Sequence, residues 1–191
     1  MAQEPAIVHI TGYPVSGKLT VATALRAHLR SRGREARVVD NHYVNDVIFG
    51  LIDVDGVKPV AREVWDRVRE VRRPVLETVR TLAPSDWTFI FTNYVVKDQD
   101  EWVIDELASL AHDRGSRFLF VRLECEPDEL CQRIAQPDRR QRLKWKDPAG
   151  LRHIVETHRL ADPPPDADSL TIDTGTTSPD EAATLILDAL R

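Results

Sequence analysis

Apolar residues along the chain form two patterns, short continuous runs and longer stretches with helical spacing. The short runs predict five strands, of which the first is expected to be buried, at residues 6–11, 36–40, 87–93, 117–124 and 169–174. Helical stretches separate these strands and follow the last of them. Strands that alternate with helices are typical of a parallel sheet covered on both faces. The sequence therefore predicts an α/β fold, a three-layer αβα sandwich with a five-stranded parallel sheet.

Several helix boundaries can also be predicted from the sequence. Gly33 is expected to end the first helix, and Ser178 is expected to cap the last one. Residues 57–83 form a long helical stretch in which Pro74 is expected to kink or divide the helix. The apolar stripe of this stretch consists of Val60, Val64, Val68 and Val71.

Length and charge narrow the classes of protein that are possible. The 191 residues are enough for a single domain with its own core, which we expect to cover residues 1–191. The net charge of -5 argues against general nucleic-acid binding. Cys125 and Cys131 match no common zinc spacing. No secretory signal and no membrane-spanning run of about 20 apolar residues is visible, so we expect a cytoplasmic protein that binds no membrane.

The segment "GYPVSGKLT" at residues 12–20 follows the first strand and leads into the first helix. It matches the phosphate-binding pattern G-x-x-x-x-G-K at Gly12, Gly17 and Lys18, but Leu19 stands where a hydroxyl is expected. Glycines let backbone N–H groups turn towards phosphates, and the helix N-terminus adds positive charge. The residues predicted to bind nucleotide here are Gly12, Tyr13, Pro14, Val15, Ser16, Gly17, Lys18, Leu19 and Thr20.

Other polar residues are expected at the same edge of the sheet, because ligands of such sheets bind beyond the carboxyl ends of the strands. Asp40 ends the second strand, and a carboxylate there can orient a hydroxyl nucleophile or hold magnesium through water. The residues predicted to bind the phosphate acceptor are Asp40, Asn41, His42, Asn45 and Asn93. The sequence "DVDG" at 53–56 is interpreted as a turn.

A basic cluster, "PDRRQRLKWK" at residues 137–146, interrupts the helical pattern. Positive charge that closes over a phosphoryl group stabilises the transferring oxygens. Residues 133–147 are therefore predicted to form a lid, with a solvated basic loop as the alternative.

These features resemble the P-loop small-molecule and nucleotide kinases, a superfamily that includes shikimate kinase, chloramphenicol phosphotransferase and adenylate kinase. The resemblance covers essentially the whole chain as an order of elements and is most specific at the phosphate loop. It implies a P-loop NTPase fold of the nucleotide-kinase type, with ATP and Mg²⁺ as cofactors. It also implies that Arg133 packs on adenine, that Thr174 borders it, and that Arg140 reaches the phosphates, with Arg139 and Arg142 as alternates.

Adenylate kinases also place a non-hydroxyl residue after the lysine, so the resemblance makes Leu19 followed by Thr20 a permitted variant. We then expect Leu19 to pack into the core and Thr20 to lie near the inner phosphates. Magnesium would depend on Asp40 through water.

The predicted function is an ATP-dependent phosphotransferase that uses Lys18, Asp40 and Arg140 to phosphorylate a hydroxyl of a small molecule. A nucleoside or nucleotide kinase is the alternative enzyme. A regulatory nucleotide-binding protein with little turnover is the alternative from another class. The identity of the acceptor and the oligomeric state stay open.

Overall fold

The structure, a computed structural model, describes residues 4–52, 60–134 and 147–191. Its five strands are β1 (Ala6–Gly12), β2 (Ala36–Asp40), β3 (Thr88–Asn93), β4 (Arg117–Glu124) and β5 (Asp168–Asp173). They form one parallel sheet in the order β2-β3-β1-β4-β5. Because β1 is the central strand, the loop that follows it leaves the middle of the sheet.

Seven helices are described: α1 (Lys18–Ser31), α2 (His42–Phe49), α3 (Arg62–Thr81), α4 (Trp102–Asp113), α5 (Pro127–Ile134), α6 (Pro148–Thr157) and α7 (Pro179–Ala189). The expectation that Pro74 divides the long helix is wrong, since α3 continues through it. Proline removes one backbone hydrogen bond, while buried Val68, Leu76 and Val79 hold the helix on both sides of Pro74.

The helices cover both faces of the sheet. One face packs against α1 and α7, through residues such as Leu25 and Ile186. The other face packs against α3 and α4, through residues such as Leu76 and Leu107. The predicted three-layer αβα sandwich is therefore confirmed. Within the described ranges, no helix is both long enough and apolar enough to cross a bilayer.

Two predicted helix ends are confirmed. Gly33 follows the end of α1 with a φ of 72°, a left-handed conformation that glycine adopts without steric cost. The Ser178 side chain accepts a hydrogen bond from the backbone N–H of Glu181, and the Glu181 carboxylate accepts one from the backbone N–H of Ser178. This reciprocal capping fixes the start of α7 behind β5.

A histidine lies in the middle of the sheet core. His9 of β1 is fully buried and packs edge-on against the Phe120 ring, with 5.6 Å between ring centroids. Neither of its ring nitrogens has a hydrogen-bond partner in the described structure. Burial, with a smaller contribution from the positive charge of Arg72, lowers the pKa of His9 from 6.5 to about 3. The imidazole is therefore neutral in the folded protein.

Because His9 is buried as a neutral group, the folded protein should lose stability at acid pH. As pH falls below 6.5 the unfolded chain takes up a proton on His9, whereas the folded protein takes it up only near pH 3. Above pH 6.5 His9 does not lower the free energy of unfolding. At pH 5 this free energy should be lower by about 2 kcal/mol because of His9. Urea unfolding across this range should show a shallower acid decline for His9→Leu than for the wild type.

The matched control is His153→Leu, which changes an exposed histidine on α6. It should keep the wild-type acid decline. Identical pH profiles for the wild type and His9→Leu would contradict the assignment.

Candidate nucleotide and acceptor site

The loop between β1 and α1 is shaped for close approach of backbone to a ligand. A Cβ atom at Gly12 would lie 2.7 Å from the backbone oxygen of Leu123 and 2.6 Å from Ser16 Oγ, so only glycine fits there. Gly17 has a φ of 90° and precedes the first residue of α1. No side chain caps α1, and its first turn has no acidic residue. Its N-terminal N–H groups and partial positive charge therefore favour an anion.

Val15 is held in a left-handed conformation at a φ of 65°. A β-branched residue rarely adopts this conformation, so the surrounding structure must stabilise it. Val15 packs into a small apolar cluster with Leu130 and Ile134 of α5 and Leu151 of α6. These contacts hold the turn of the loop.

Lys18 lies over the start of the loop. Its Nζ donates hydrogen bonds of 2.7 Å to the backbone oxygens of Gly12 and Tyr13. The Tyr13 oxygen also accepts a bond from the backbone N–H of Ser16. The ammonium group is therefore positioned inside the arc of the loop, where a bound polyphosphate needs a cation.

The expectation that Leu19 packs into the core is wrong. Leu19 is half-buried and lies outside the hydrophobic clusters of the described residues. The buried side of α1 carries Val21, Leu25 and Leu29, and residues in a helix are rotated about 100° apart. Leu19 falls about a third of a turn from the middle of that side, a position that a helical wheel would have identified. Thr20 falls almost opposite the core, is exposed, and lines the cleft described next.

A cleft of about 360 Å³ extends from the loop towards α5 and α7. Arg133 of α5 crosses it and donates hydrogen bonds from Nη2 to the backbone oxygen of Thr174, at 2.6 Å, and from Nε to Glu129, at 2.9 Å. Thr174 Oγ1 lies 3.1 Å from the backbone oxygen of Ser16. The cleft is lined by Val15, Ser16, Gly17, Thr20, Val21, Glu129, Arg133, Thr174, Thr177 and Pro179.

The resemblance to P-loop kinases implies that Arg133 and Thr174 lie near adenine, and the structure places both in one cleft with the phosphate loop. Three hydrogen bonds hold the guanidinium plane of Arg133 in place, and a fixed guanidinium plane is suited to stacking on an aromatic base. Sequence reasoning missed Glu129, although its spacing of four residues from Arg133 on a helix was a usable signal.

An aromatic group beside the loop was also missed. The Tyr13 hydroxyl donates a 2.7 Å hydrogen bond to the backbone oxygen of His158, and the Tyr94 hydroxyl lies 2.7 Å from His158 Nδ1. The two tyrosine rings are 6.1 Å apart. Burial raises the pKa of Tyr94, so its hydroxyl stays protonated. This group ties the loop to the end of β3 and to the segment after α6.

On the acceptor side, Asp40 is only 2% exposed at the end of β2. One of its carboxylate oxygens accepts a 2.9 Å hydrogen bond from the backbone N–H of His42, so Asp40 also holds the start of α2. The His42 ring bonds to Asp46 one turn along the same helix, at 3.1 Å. The backbone N–H of Asn41 bonds to the backbone oxygen of Thr92 on β3.

Asn45 of α2 and Asn93 of β3 are both more than nine-tenths buried. In the part of the chain that is described, neither side-chain amide makes a hydrogen bond within the protein, and neither is among the fully buried polar atoms that lack a partner, so both amides are accessible to solvent. Asn93 is in register with Thr11, which precedes the first residue of the phosphate loop. Two amides with unused hydrogen-bonding capacity therefore lie on the side of the loop where the acceptor is predicted.

A larger cavity, of about 640 Å³, lies elsewhere on the rim. It adjoins Tyr13 and the ends of β4 and β5, whereas Asp40 ends β2 at the opposite edge of the sheet. Its walls carry charges of both signs, among them Asp162, which is paired with Lys97 at 2.6 Å and with Arg122 at 3.0 Å. This larger cavity is therefore not the space beside Asp40.

The described residues contain no group of three or more metal-binding side chains. Asp40, with one oxygen bonded to the backbone, fits a role in holding magnesium through water, together with the phosphates that bring the ion. Arg140, Arg139 and Arg142, most of the lid predicted at 133–147, and the turn predicted at 53–56 lie outside the described residues. Their roles stay predictions.

The fold and the loop together define a P-loop protein of the nucleotide-kinase type. The sequence model of a family described as an AAA domain matches residues 8–159, and the chain belongs to this family. No curated protein matches the chain.

Several solved structures have the same fold. Kti12 of Chaetomium thermophilum in complex with ADP-AlF3 has a TM-score of 0.66 at 14% identity, and the match covers 98% of this chain and 100% of that one. APS kinase of Mycobacterium tuberculosis in complex with AMPPNP and APS has a TM-score of 0.62 at 19% identity, with 98% of each chain covered. A gluconokinase of Sinorhizobium meliloti 1021 has a TM-score of 0.61 at 16% identity, with 98% and 93% covered.

Proposed function

We propose that the protein is an ATP-dependent phosphotransferase that transfers phosphate to a hydroxyl of a small molecule. The observation that carries this proposal is the placement of two complementary sets of groups on one rim of the sheet. The phosphate loop and the Arg133–Thr174 cleft suit a nucleotide, and buried Asp40, Asn45 and Asn93 suit a polar acceptor. The same fold in APS kinase and gluconokinase, both kinases by name, supports this proposal.

In the proposed reaction, the N–H groups at the start of α1 and the ammonium of Lys18 bind the ATP phosphates. Asp40 would hold magnesium through water, and the ion would supply positive charge that neutralises the phosphates. The free oxygen of Asp40 orients the acceptor hydroxyl and accepts its proton late in the transfer. The amides of Asn45 and Asn93 can each donate and accept hydrogen bonds, which is the chemistry that other hydroxyls of a polyol require.

The test is a screen for ADP release from Mg-ATP against a library of sugars, polyols, nucleosides and hydroxy acids. At least one compound should raise ADP release well above the rate with ATP alone, and phosphorus NMR should detect its phosphate ester. Lys18→Ala serves as the blank, because it should remove both signals. Tight ATP binding with no compound stimulated and no ester formed would contradict the proposal and favour a regulatory nucleotide-binding protein.

A further inference from the structure

The cavity of about 640 Å³ beside Tyr13 has no part in the proposed reaction. It lies between the ends of β4 and β5 and the segment that follows α6, and Arg122, Glu124 and Asp173 are among the residues that line it. We call it the β4–β5 cavity. Among the described residues, none lines both this cavity and the nucleotide cleft. The two spaces are therefore neighbours that can be occupied at the same time.

Three cations of the β4–β5 cavity gather around a single carboxylate. Asp162 pairs with Lys97 at 2.6 Å and with Arg122 at 3.0 Å, and these two hydrogen bonds lower the pKa of Asp162, so that it stays charged. Arg159 lies directly opposite Lys97, because the segment after β3 runs antiparallel to the segment after α6. Like charges in this arrangement repel each other. We call Lys97, Arg122 and Arg159 the cation cluster.

The cation cluster has more positive charge than the protein neutralises. Arg159 forms no ion pair with any residue that the structure describes. The one carboxylate of Asp162 is already shared between the other two cations. An anionic group of a ligand would bind here through charge-assisted hydrogen bonds and would relieve the repulsion between Lys97 and Arg159.

Two carboxylates at the end of β4 place negative charge on the wall of the same cavity. Glu124 and Glu126 both line it and are both exposed. Within the described ranges neither forms an ion pair, so neither neutralises the cation cluster. The remaining acid, Asp173, is held by its own turn, where it accepts a 2.8 Å hydrogen bond from the backbone N–H of Gly175. The cavity therefore offers unneutralised charge of both signs.

These charges select the kind of ligand that fits. A ligand with a single charge of either sign would be attracted by one group of side chains and repelled by the other, whereas a ligand with both charges is attracted by both. Pro127, Val155 and Leu160 add apolar surface to the cavity wall. The volume is within the range of about 300–1,000 Å³ that is usual for small-molecule sites.

We propose that the β4–β5 cavity binds a small dipolar molecule with a carboxylate, an ammonium group and an apolar body. This is the chemistry of an apolar amino acid or of a short peptide with free ends. The carboxylate binds the cation cluster at Arg159, and the ammonium group binds Glu124 and Glu126. The ligand also contacts Tyr13 and Asp173, which immediately adjoin Gly12 of the phosphate loop and Thr174 of the nucleotide cleft. The site does not depend on the proposed phosphotransferase activity.

The test uses three probes of matched size: leucyl-leucine, N-acetyl-leucyl-leucine, which lacks the ammonium group, and leucyl-leucinamide, which lacks the carboxylate. Isothermal calorimetry with the full chain should show saturable binding of leucyl-leucine. Each of the other two probes should bind about tenfold more weakly or worse, because each loses its charge-assisted hydrogen bonds. Saturating Mg-ATP should leave the affinity for leucyl-leucine within about twofold, since the two ligands occupy separate spaces.

Variants assign the two ends of the ligand separately. Arg159→Gln should weaken binding of leucyl-leucine by about tenfold and leave binding of leucyl-leucinamide unchanged, because the amide has no carboxylate to lose a partner. Changing Glu124→Gln and Glu126→Gln together should weaken leucyl-leucine and leave N-acetyl-leucyl-leucine unchanged. Arg152→Gln is the matched control, since Arg152 is an exposed arginine of α6 that does not line the cavity.

Three results would overturn the proposal. The first is the absence of saturable binding of leucyl-leucine to a chain that circular dichroism shows to be folded. The second is equal affinity for the three probes. The third is displacement of leucyl-leucine by Mg-ATP, which would place the probe in the nucleotide cleft. An equal loss of affinity in Arg159→Gln and Arg152→Gln would likewise show a general effect of charge and remove Arg159 from the site.

Discussion

Lys18→Ala is expected to weaken ATP binding by roughly a hundredfold or more. The ammonium lies inside the phosphate loop, 2.7 Å from the backbone oxygens of Gly12 and Tyr13. A hydrogen bond to a charged group is worth about 1.5–3 kcal/mol, and an ammonium makes several of them to a polyphosphate. The variant also loses the two bonds that hold the side chain across the loop. Isothermal calorimetry with Mg-ATP would measure the change.

The control for Lys18→Ala is Arg30→Ala, which removes one positive charge from the exposed end of the same helix. It should leave the ATP affinity within about twofold of the wild type, because surface charges at this distance are screened. An unchanged affinity in Lys18→Ala would show that the nucleotide binds elsewhere. Equal losses in both variants would point to a general effect of charge rather than to a contact at the loop.

Asp40→Asn is expected to reduce phosphoryl transfer by about a hundredfold or more while ATP affinity changes little. The asparagine oxygen can still accept the bond from the backbone N–H of His42, so the start of α2 should be preserved. The variant loses the carboxylate that, in the proposed reaction, orients the hydroxyl and takes its proton. Single-turnover transfer to an acceptor found in the screen would measure the first quantity, and calorimetry the second.

Asp86→Asn provides the matched control, since Asp86 is an exposed aspartate just before β3, at the amino ends of the strands and away from Asp40 at the carboxyl end of β2. It should transfer phosphate at the wild-type rate. Near-normal turnover in Asp40→Asn would remove Asp40 from the mechanism and leave it a helix cap.

The strands β1 and β3 were predictable because a buried parallel strand is a continuous apolar run, whatever the rest of the chain does. The predicted ends of β2 and β4 are confirmed as they stand, and those of the other strands lie within one residue. The phosphate loop was also predictable from a short stretch of sequence, because its function depends on local backbone geometry at Gly12 and Gly17.

Contacts between distant parts of the chain could not be predicted in the same way. The bond from Tyr13 to His158 joins residues 145 positions apart, and it depends on how α6 lies over the sheet. The burial of His9 against Phe120 depends on the register of β1 with β4, which no local pattern specifies. Leu19 is different, because the spacing of Val21, Leu25 and Leu29 already placed it off the buried side of α1.

The conformation of Val15 has a consequence for how mutations act on the protein. Its left-handed backbone is held by packing against Leu130, Ile134 and Leu151. These three side chains belong to the helices on either side of residues 135–146, and none of the three lines the nucleotide cleft. Natural or engineered changes that loosen the packing of α5 on α6 would therefore let the loop relax and lower nucleotide affinity indirectly. Selection for ATP use would then act on core residues that a search for ligand contacts would overlook.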